Sequence, residues 1–204
     1  MLKKKLIILL LFFVAFNKLT IQAEEIPSKF FIRQHWISLT HTFDILSKDQ
    51  PMGTVHRKHI KEGASHYLFY DAHNKLQAKA YMSFFDWGAS LDIYDGDEQL
   101  LGKVEEKIVH FFPIFDLYRA DGYHAASAKI NLCGTKYTVI DPASHQVFAY
   151  LWRHFFSLKD DWTVEILDPT LFREQAIDYR LLILMLTFQI DHYHWQNMNP
   201  NSSL

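Results

Sequence analysis

The most reactive-looking feature of the sequence is a basic run, His56-Arg57-Lys58-His59-Ile60-Lys61. Arginine presents a planar donor fork and lysine a compact charge, so Arg57, Lys58 and Lys61 could bind a phosphate-bearing lipid headgroup. The alternative is a solvated strand edge, where lysines discourage pairing with another chain. Both interpretations place the run at the protein surface.

A second feature is the pair His192 and His194, next to Asp191. In an extended segment both imidazoles would share a face and could meet one metal ion. Spacing identifies no third ligand, although His35 and His41 lie near the other end of the chain. Because the chain holds 12 histidines, chance pairs are common, and we expect polar surface residues here and no metal site.

The single cysteine, Cys133, excludes an internal disulfide and a cysteine-rich zinc module. A nucleophilic thiol needs a neighbouring base or a cationic setting, and the sequence supplies neither, so a buried structural thiol is expected. The chain contains no nucleophile elbow, P-loop, dinucleotide fingerprint or H-E-x-x-H motif. We therefore predict a protein that is not an enzyme, with no catalytic residue and no cofactor.

Composition restricts the class of protein further. The chain has 204 residues, 49% of them apolar and 16% aromatic, which suits one domain with a large core. The formal net charge of −2 gives no reason to expect a nucleic-acid partner.

The first 23 residues have the pattern of an export signal. Lys3, Lys4 and Lys5 precede an apolar run at 6–16, and Ala23 is the small residue at which a signal peptidase would cleave. Retention as an anchor is the alternative, but eleven apolar residues span only about 16 Å as a helix, against a hydrocarbon core of about 30 Å. We expect an exported, periplasmic or secreted protein with a mature net charge of −6.

The mature chain repeats a strand, an acidic or polar turn and a second strand. Comparable positions are Leu46, Tyr70, Tyr94, Tyr118, Ile140 and Leu167, separated by 24, 24, 24, 22 and 27 residues. A small residue follows each turn, at Gly53, Ala78, Gly102, Ala126 and Ala149, where the strand can bend or a neighbouring backbone can approach. Propeller blades need longer units, so the pattern predicts a meander of eleven or twelve strands that closes into a barrel.

The C-terminal segment changes to a helical pattern. Asp168-Pro169-Thr170 is a helix-start signal, and from Leu181 to Leu186 every residue is apolar. A helix that is apolar on all sides is buried, and a barrel of about twelve strands leaves a central space for one. The predicted organisation is a lead-in at 24–34, a barrel at 35–196 with a central helix at about 172–190, and a polar tail at 197–204.

Serial hairpins followed by one apolar helix resemble the tubby-like superfamily, and within it the LURP-one-related proteins, relatives of phospholipid scramblases. The residues that carry the resemblance are Leu91–Asp95, Leu100–Val104, Trp87–Gly88, Gly134–Tyr137 and Leu181–Phe188. The resemblance covers about 35–195 and implies a closed twelve-stranded barrel around the helix.

The resemblance also implies membrane association, because tubby proteins bind phosphoinositide headgroups and scramblases are implicated in lipid movement. The family offers no catalytic residues to carry over. We expect a binding module for a membrane surface or an anionic phospholipid headgroup. The alternative is a protein-interaction or structural module with no lipid affinity.

Overall fold

The computed structural model describes residues 26–35, 41–48, 50–59, 65–85, 88–109, 112–154 and 161–198. The segment predicted to be a signal peptide, Lys61 and the C-terminal tail from 199 onward lie outside the described residues, as do the side chains at 59, 65, 108–109 and 193–198.

The described chain forms twelve strands followed by two helices. The strands are β1 (Lys29–Gln34), β2 (Thr42–Ser47), β3 (Gln50–His59), β4 (Ser65–Asp71), β5 (Leu76–Phe85), β6 (Gly88–Asp95), β7 (Leu100–Val109), β8 (Phe112–Arg119), β9 (His124–Ile130), β10 (Lys136–Ile140), β11 (Val147–Arg153) and β12 (Asp161–Ile166). The helices are α1 (Pro169–Glu174) and α2 (Tyr179–Met198).

Each strand pairs antiparallel with the next, and β1 pairs with β12, so the sheet closes into a barrel. The prediction of a closed antiparallel barrel of about twelve strands around a buried apolar helix is confirmed. The barrel starts earlier than the predicted residue 35, because 29–34 form β1, where Phe30 pairs with Val164 of β12. Closure removes the free edges at which such strands would pair with other chains.

The regularly spaced small residues lie beside irregularities in strand pairing. In the β2–β3 hairpin the register shifts between Ile45 and Leu46, and Ile45 faces Gly53. The four other hairpins shift their register next to the corresponding residue, at Ala78, Gly102, Ala126 and Ala149. Such bulges bend and twist the strand, so the repeated small residues mark where the sheet curves towards closure.

The hairpin turns are stabilised by their own acidic residues. The Asp71 carboxylate accepts hydrogen bonds from the backbone N–H groups of His73 and Lys75, each at 2.9 Å. Asp95 accepts in the same way from Asp97 and Gln99. The acidic turns read from the sequence are therefore Asx-type turns, which explains why aspartate recurs there.

Helix α2 lies inside the barrel, but the helical segment is two helices and not the single helix predicted at about 172–190. Asp168 caps α1 by accepting from the backbone N–H groups of Thr170 and Leu171. The chain then reverses at Ala176, whose φ is 50°, and the Asp178 carboxylate accepts from the backbone N–H of Arg180 to start α2. The Leu181–Leu186 run is buried on all sides, as expected.

Gly53 provides a test of the close approach between strands. A Cβ atom at this position would lie 2.0 Å from the backbone oxygen of Tyr70, which cannot move without breaking the β3–β4 ladder. We expect Gly53→Ala to lower the free energy of unfolding by about 1–3 kcal/mol through overpacking, measured by urea denaturation. Gln50→Ala, on an exposed position of the same strand, is the control, and equal losses in both variants would contradict the argument.

Candidate functional site

The two ends of the barrel differ in construction. One end, the turn end, carries the β2–β3, β4–β5, β6–β7, β8–β9 and β10–β11 turns, and the other, the loop end, carries the remaining six connections between strands. Helix α2 runs from the first to the second. Near its start Arg180 donates a hydrogen bond to the backbone oxygen of Gln77, and at Asp191 it reaches His41, just before β2.

Asp191 is the centre of a buried polar cluster at the loop end. Its side chain is 1% exposed, and its oxygens lie 2.6 Å from His41 Nδ1 and 2.6 Å from Arg57 Nη1. Tyr67 Oη donates a hydrogen bond to the same carboxylate at 2.7 Å. These contacts fasten the end of α2 to the β2–β4 side of the barrel.

The electrostatics of the cluster favour an ionised aspartate. Burial alone would raise the pKa of Asp191, but the hydrogen bond from His41 and the charge of Arg57 outweigh it, so the pKa falls below its usual value. Burial, followed by the charge of Asp191, raises the pKa of Tyr67 well above its usual value. The phenol therefore stays protonated and remains a hydrogen-bond donor to the carboxylate.

The three predicted headgroup contacts have different locations. The Arg57 side chain is only 11% exposed and faces Asp191, whereas Lys58, the next residue on β3, is exposed on the outer face. Successive strand residues point to opposite faces, which separates the two charges. Lys61 lies outside the described residues. Of the basic run, Lys58 is the described cation that faces solvent.

The segment that holds His192 and His194 is helical, because α2 continues to Met198, so the extended conformation on which a shared metal ion would depend does not occur there. Positions two apart on a helix lie about 200° apart, so a helix does not place positions 192 and 194 on one face. His192 is partly buried and stacks on Phe188 with ring centroids 5.4 Å apart, and burial lowers its pKa. Within the described part of the chain no three His, Cys, Asp or Glu side chains are grouped to hold a metal ion.

Several side chains at the loop end are exposed. Phe84 and Phe85 are 57% and 46% exposed at the end of β5, and the expectation of a buried thiol is wrong. In the β9–β10 turn Cys133 is exposed rather than buried, and Leu132 beside it is 85% exposed. The Phe84 ring nevertheless lies 6.1 Å from the His192 ring of α2.

Below the loop end the barrel interior contains polar groups without partners. Glu106 is 4% exposed, and burial raises its pKa to about 7. The Oη atom of Tyr137 and the Oε1 atom of Gln189 are buried without a hydrogen-bond partner among the described residues. Buried polar atoms usually have one, so this part of the interior is unusual.

Sequence reasoning named Asp191 only as a neighbour of the histidines and missed Tyr67 and Glu106. A signal for Glu106 was present, because Gly102, Val104 and Glu106 occupy alternate positions that face inward on β7. Asp191 likewise ends an apolar run on α2. A charged residue at a position where the repeat of the strand or helix predicts an apolar one would have identified Glu106 and Asp191.

None of the helices in the described part is both long and apolar enough to span a lipid bilayer.

Comparisons with known proteins support the fold alone. The chain is similar to a protein of Arabidopsis thaliana known from an X-ray structure, with a TM-score of 0.55 and 11% sequence identity. The match covers 82% of this chain and 93% of that one. No protein-family description matches the sequence. No curated protein matches it either.

Proposed function

We propose that the protein is an exported, non-enzymatic binding module whose loop end contacts a membrane surface containing anionic phospholipid headgroups. The observation that carries the proposal is the exposure of Phe84, Phe85 and Leu132 at the barrel end that also presents Lys58. The predicted signal at 1–23 supports export, and the resemblance to the LURP-one-related family supports membrane association.

The arrangement of these side chains suits the boundary between water and lipid. Lys58 pairs across β3–β4 with His66, which in turn pairs with Tyr81 on β5, the strand that ends at Phe84 and Phe85. Aromatic side chains can insert among the headgroups while a lysine on a neighbouring strand is attracted to anionic lipid, worth about 1 kcal/mol for each charge near the surface. Arg57 acts indirectly, since its contact with Asp191 fixes α2 beneath this surface.

The same exposed residues favour the alternative, a protein-interaction module. Exposed aromatic and leucine side chains at one end of a fold also mark protein interfaces. This alternative predicts capture of a protein partner without any preference among lipids, so vesicle binding distinguishes the two.

Co-sedimentation with vesicles tests the proposal. We expect the protein to bind vesicles that contain phosphatidylglycerol. The double variant Phe84→Ser/Phe85→Ser should bind about tenfold more weakly, because partial burial of the two rings in the lipid contributes at least about 1.4 kcal/mol to the binding free energy. Leu100→Ser is the matched control, since Leu100 is exposed on β7 at the turn end. Equal loss in both variants, or no binding to any vesicle, would contradict the proposal.

Charge reversal gives a second prediction. Lys58→Glu should weaken binding to the same vesicles several-fold at low salt, and the difference should shrink as salt screens the charge. Lys75→Glu reverses an exposed lysine in the β4–β5 turn at the opposite end, and it should leave binding unchanged. A salt-independent effect, or an equal effect of both reversals, would exclude a headgroup contact at Lys58.

A further inference from the structure

Tyr137 Oη and Gln189 Oε1 are among the buried side-chain oxygens that lack a hydrogen-bond partner within the described chain. A third oxygen group, the Glu106 carboxyl, belongs to a residue that is 4% exposed, and burial together with the charge of Glu106 raises the pKa of Tyr137. Glu106 takes part in no hydrogen bond or ion pair with a described residue, and burial is the cause of its raised pKa. A buried carboxylate without a counter-charge is costly, and two unpaired neutral oxygens add to that cost. This combination suggests a missing donor.

Two of these groups, those of Glu106 and Tyr137, lie beside one aromatic residue, Phe115. Glu106 faces Phe115 directly across the β7–β8 pair, so their side chains are neighbours on the inner face. The Phe115 ring lies 5.8 Å from the Tyr137 ring and 6.3 Å from the Phe188 ring of α2. Glu106, Tyr137 and this turn of α2 therefore lie at one level of the barrel.

Helix geometry brings Gln189 to the same side. Asp191 lies about 60° around the helix from Phe188, towards β2–β4, where it meets Arg57 and Tyr67. Gln189 lies about 100° from Phe188 in the opposite direction. It is thus directed towards β8–β10, the strands that carry Phe115 and Tyr137.

We propose that Glu106, Tyr137 and Gln189 form a binding site for a primary ammonium group. Such a group has three N–H donors, one for each oxygen, and its positive charge would balance the carboxylate. The rings of Phe115 and Tyr137 add cation–π attraction. A quaternary ammonium carries the same charge but no donor, so it would leave all three oxygens unpaired.

The inference deepens the proposed function and rests on it only for the source of the amine. An amine-bearing phospholipid headgroup would enter from the loop end, because Tyr137 is the second residue of β10 from that end. A free amine in solution is the other source. The chemistry of the site is the same in both cases.

Isothermal titration calorimetry of the full chain at pH 8 tests the site with ethanolamine and with tetramethylammonium. We expect ethanolamine to bind at least about tenfold more tightly than tetramethylammonium, and Glu106→Gln to lose about tenfold in ethanolamine affinity. Tyr137→Phe should lose several-fold. Glu105→Gln is the matched control, because Glu105 lies on the outer face of the same strand, paired with Lys103, and should bind ethanolamine as the parent does.

Absence of ethanolamine binding, equal binding of both cations, or unchanged binding by Glu106→Gln would overturn the site and assign the three oxygens to internal water. Vesicles of phosphatidylcholine with and without phosphatidylethanolamine then separate the two sources of amine. Binding to phosphatidylglycerol vesicles without ethanolamine binding overturns this site and leaves the proposed function intact. Ethanolamine binding without vesicle binding supports this site and overturns the proposed function.

Discussion

Replacing Asp191 by alanine should lower the free energy of unfolding by about 3–5 kcal/mol, because it removes the buried carboxylate that His41, Arg57 and Tyr67 contact. Arg57 is 11% exposed, and without Asp191 its guanidinium loses the carboxylate 2.6 Å away. Tyr67 also loses the acceptor of its hydrogen bond. Urea denaturation at pH 7 measures the loss.

Arg33→Ala is the control for this experiment. Arg33 is paired with Asp161 at 3.3 Å, but its side chain is 45% exposed. Exposed ion pairs contribute about 0–1 kcal/mol, so this variant should remain close to the parent. Similar losses in the two variants would show that the buried cluster does not fasten α2.

The Asp191 contribution should also depend on pH. The pKa of this carboxyl is lower in the folded protein than its usual value of 3.8, so its stabilisation is fully present above pH 4 and is lost as the pH falls through the folded-state value. The stability difference between the parent and Asp191→Asn should therefore narrow below pH 4. A constant difference down to pH 2 would assign the effect to packing alone.

Much of the barrel follows from local sequence features. Aspartates that accept from backbone N–H groups two and four residues later specify turns, and a small residue after each turn permits the bulge. Because the turn aspartate and the small residue belong to the same hairpin, they recur at a regular spacing and can be read from the sequence. The apolar Leu181–Leu186 run similarly identifies a helix with no solvent face.

The break between the helices was harder to predict. The segment 174–190 contains no proline or glycine to end a helix. The reversal depends instead on Ala176 in a left-handed conformation and on Asp178 capping the start of α2. The stabilising contact is long-range, since Arg180 donates to the backbone oxygen of Gln77 on β5. Such contacts exist only after the barrel has closed.

The candidate site also depends on contacts between residues that are far apart in the sequence. Tyr67 and Asp191 are 124 residues apart in sequence and meet through closure of the barrel around α2. The basic run is visible in the sequence, but the sequence does not show that Arg57 faces inward and Lys58 outward until the phase of β3 is fixed. One residue of register exchanges these two roles.

The second large effect concerns Glu106 and has the opposite pH dependence. The carboxyl has a pKa of about 7 in the folded protein, against 4.5 as the usual value, so folding takes up a proton between these two pH values. The free energy of unfolding is therefore highest below pH 4.5, where the carboxyl is protonated in both states. It falls as the pH rises through 7, where the buried carboxyl ionises. The full shift corresponds to about 3 kcal/mol.

Glu106→Gln keeps the shape of the side chain and removes its titration. We expect this variant to exceed the parent in stability by about 2–3 kcal/mol at pH 8, with the advantage disappearing near pH 4.5, as measured by urea denaturation in amine-free buffer. Glu105→Gln, on the outer face of β7, should show no such pH-dependent difference in stability from the parent. If Glu106→Gln differed from the parent equally at both pH values, the buried carboxyl would not be the titrating group. An advantage of Glu106→Gln that is present at pH 8 and absent near pH 4.5 would mean that the parent protein retains a destabilising charge in its core. A binding site for a cation requires such a charge.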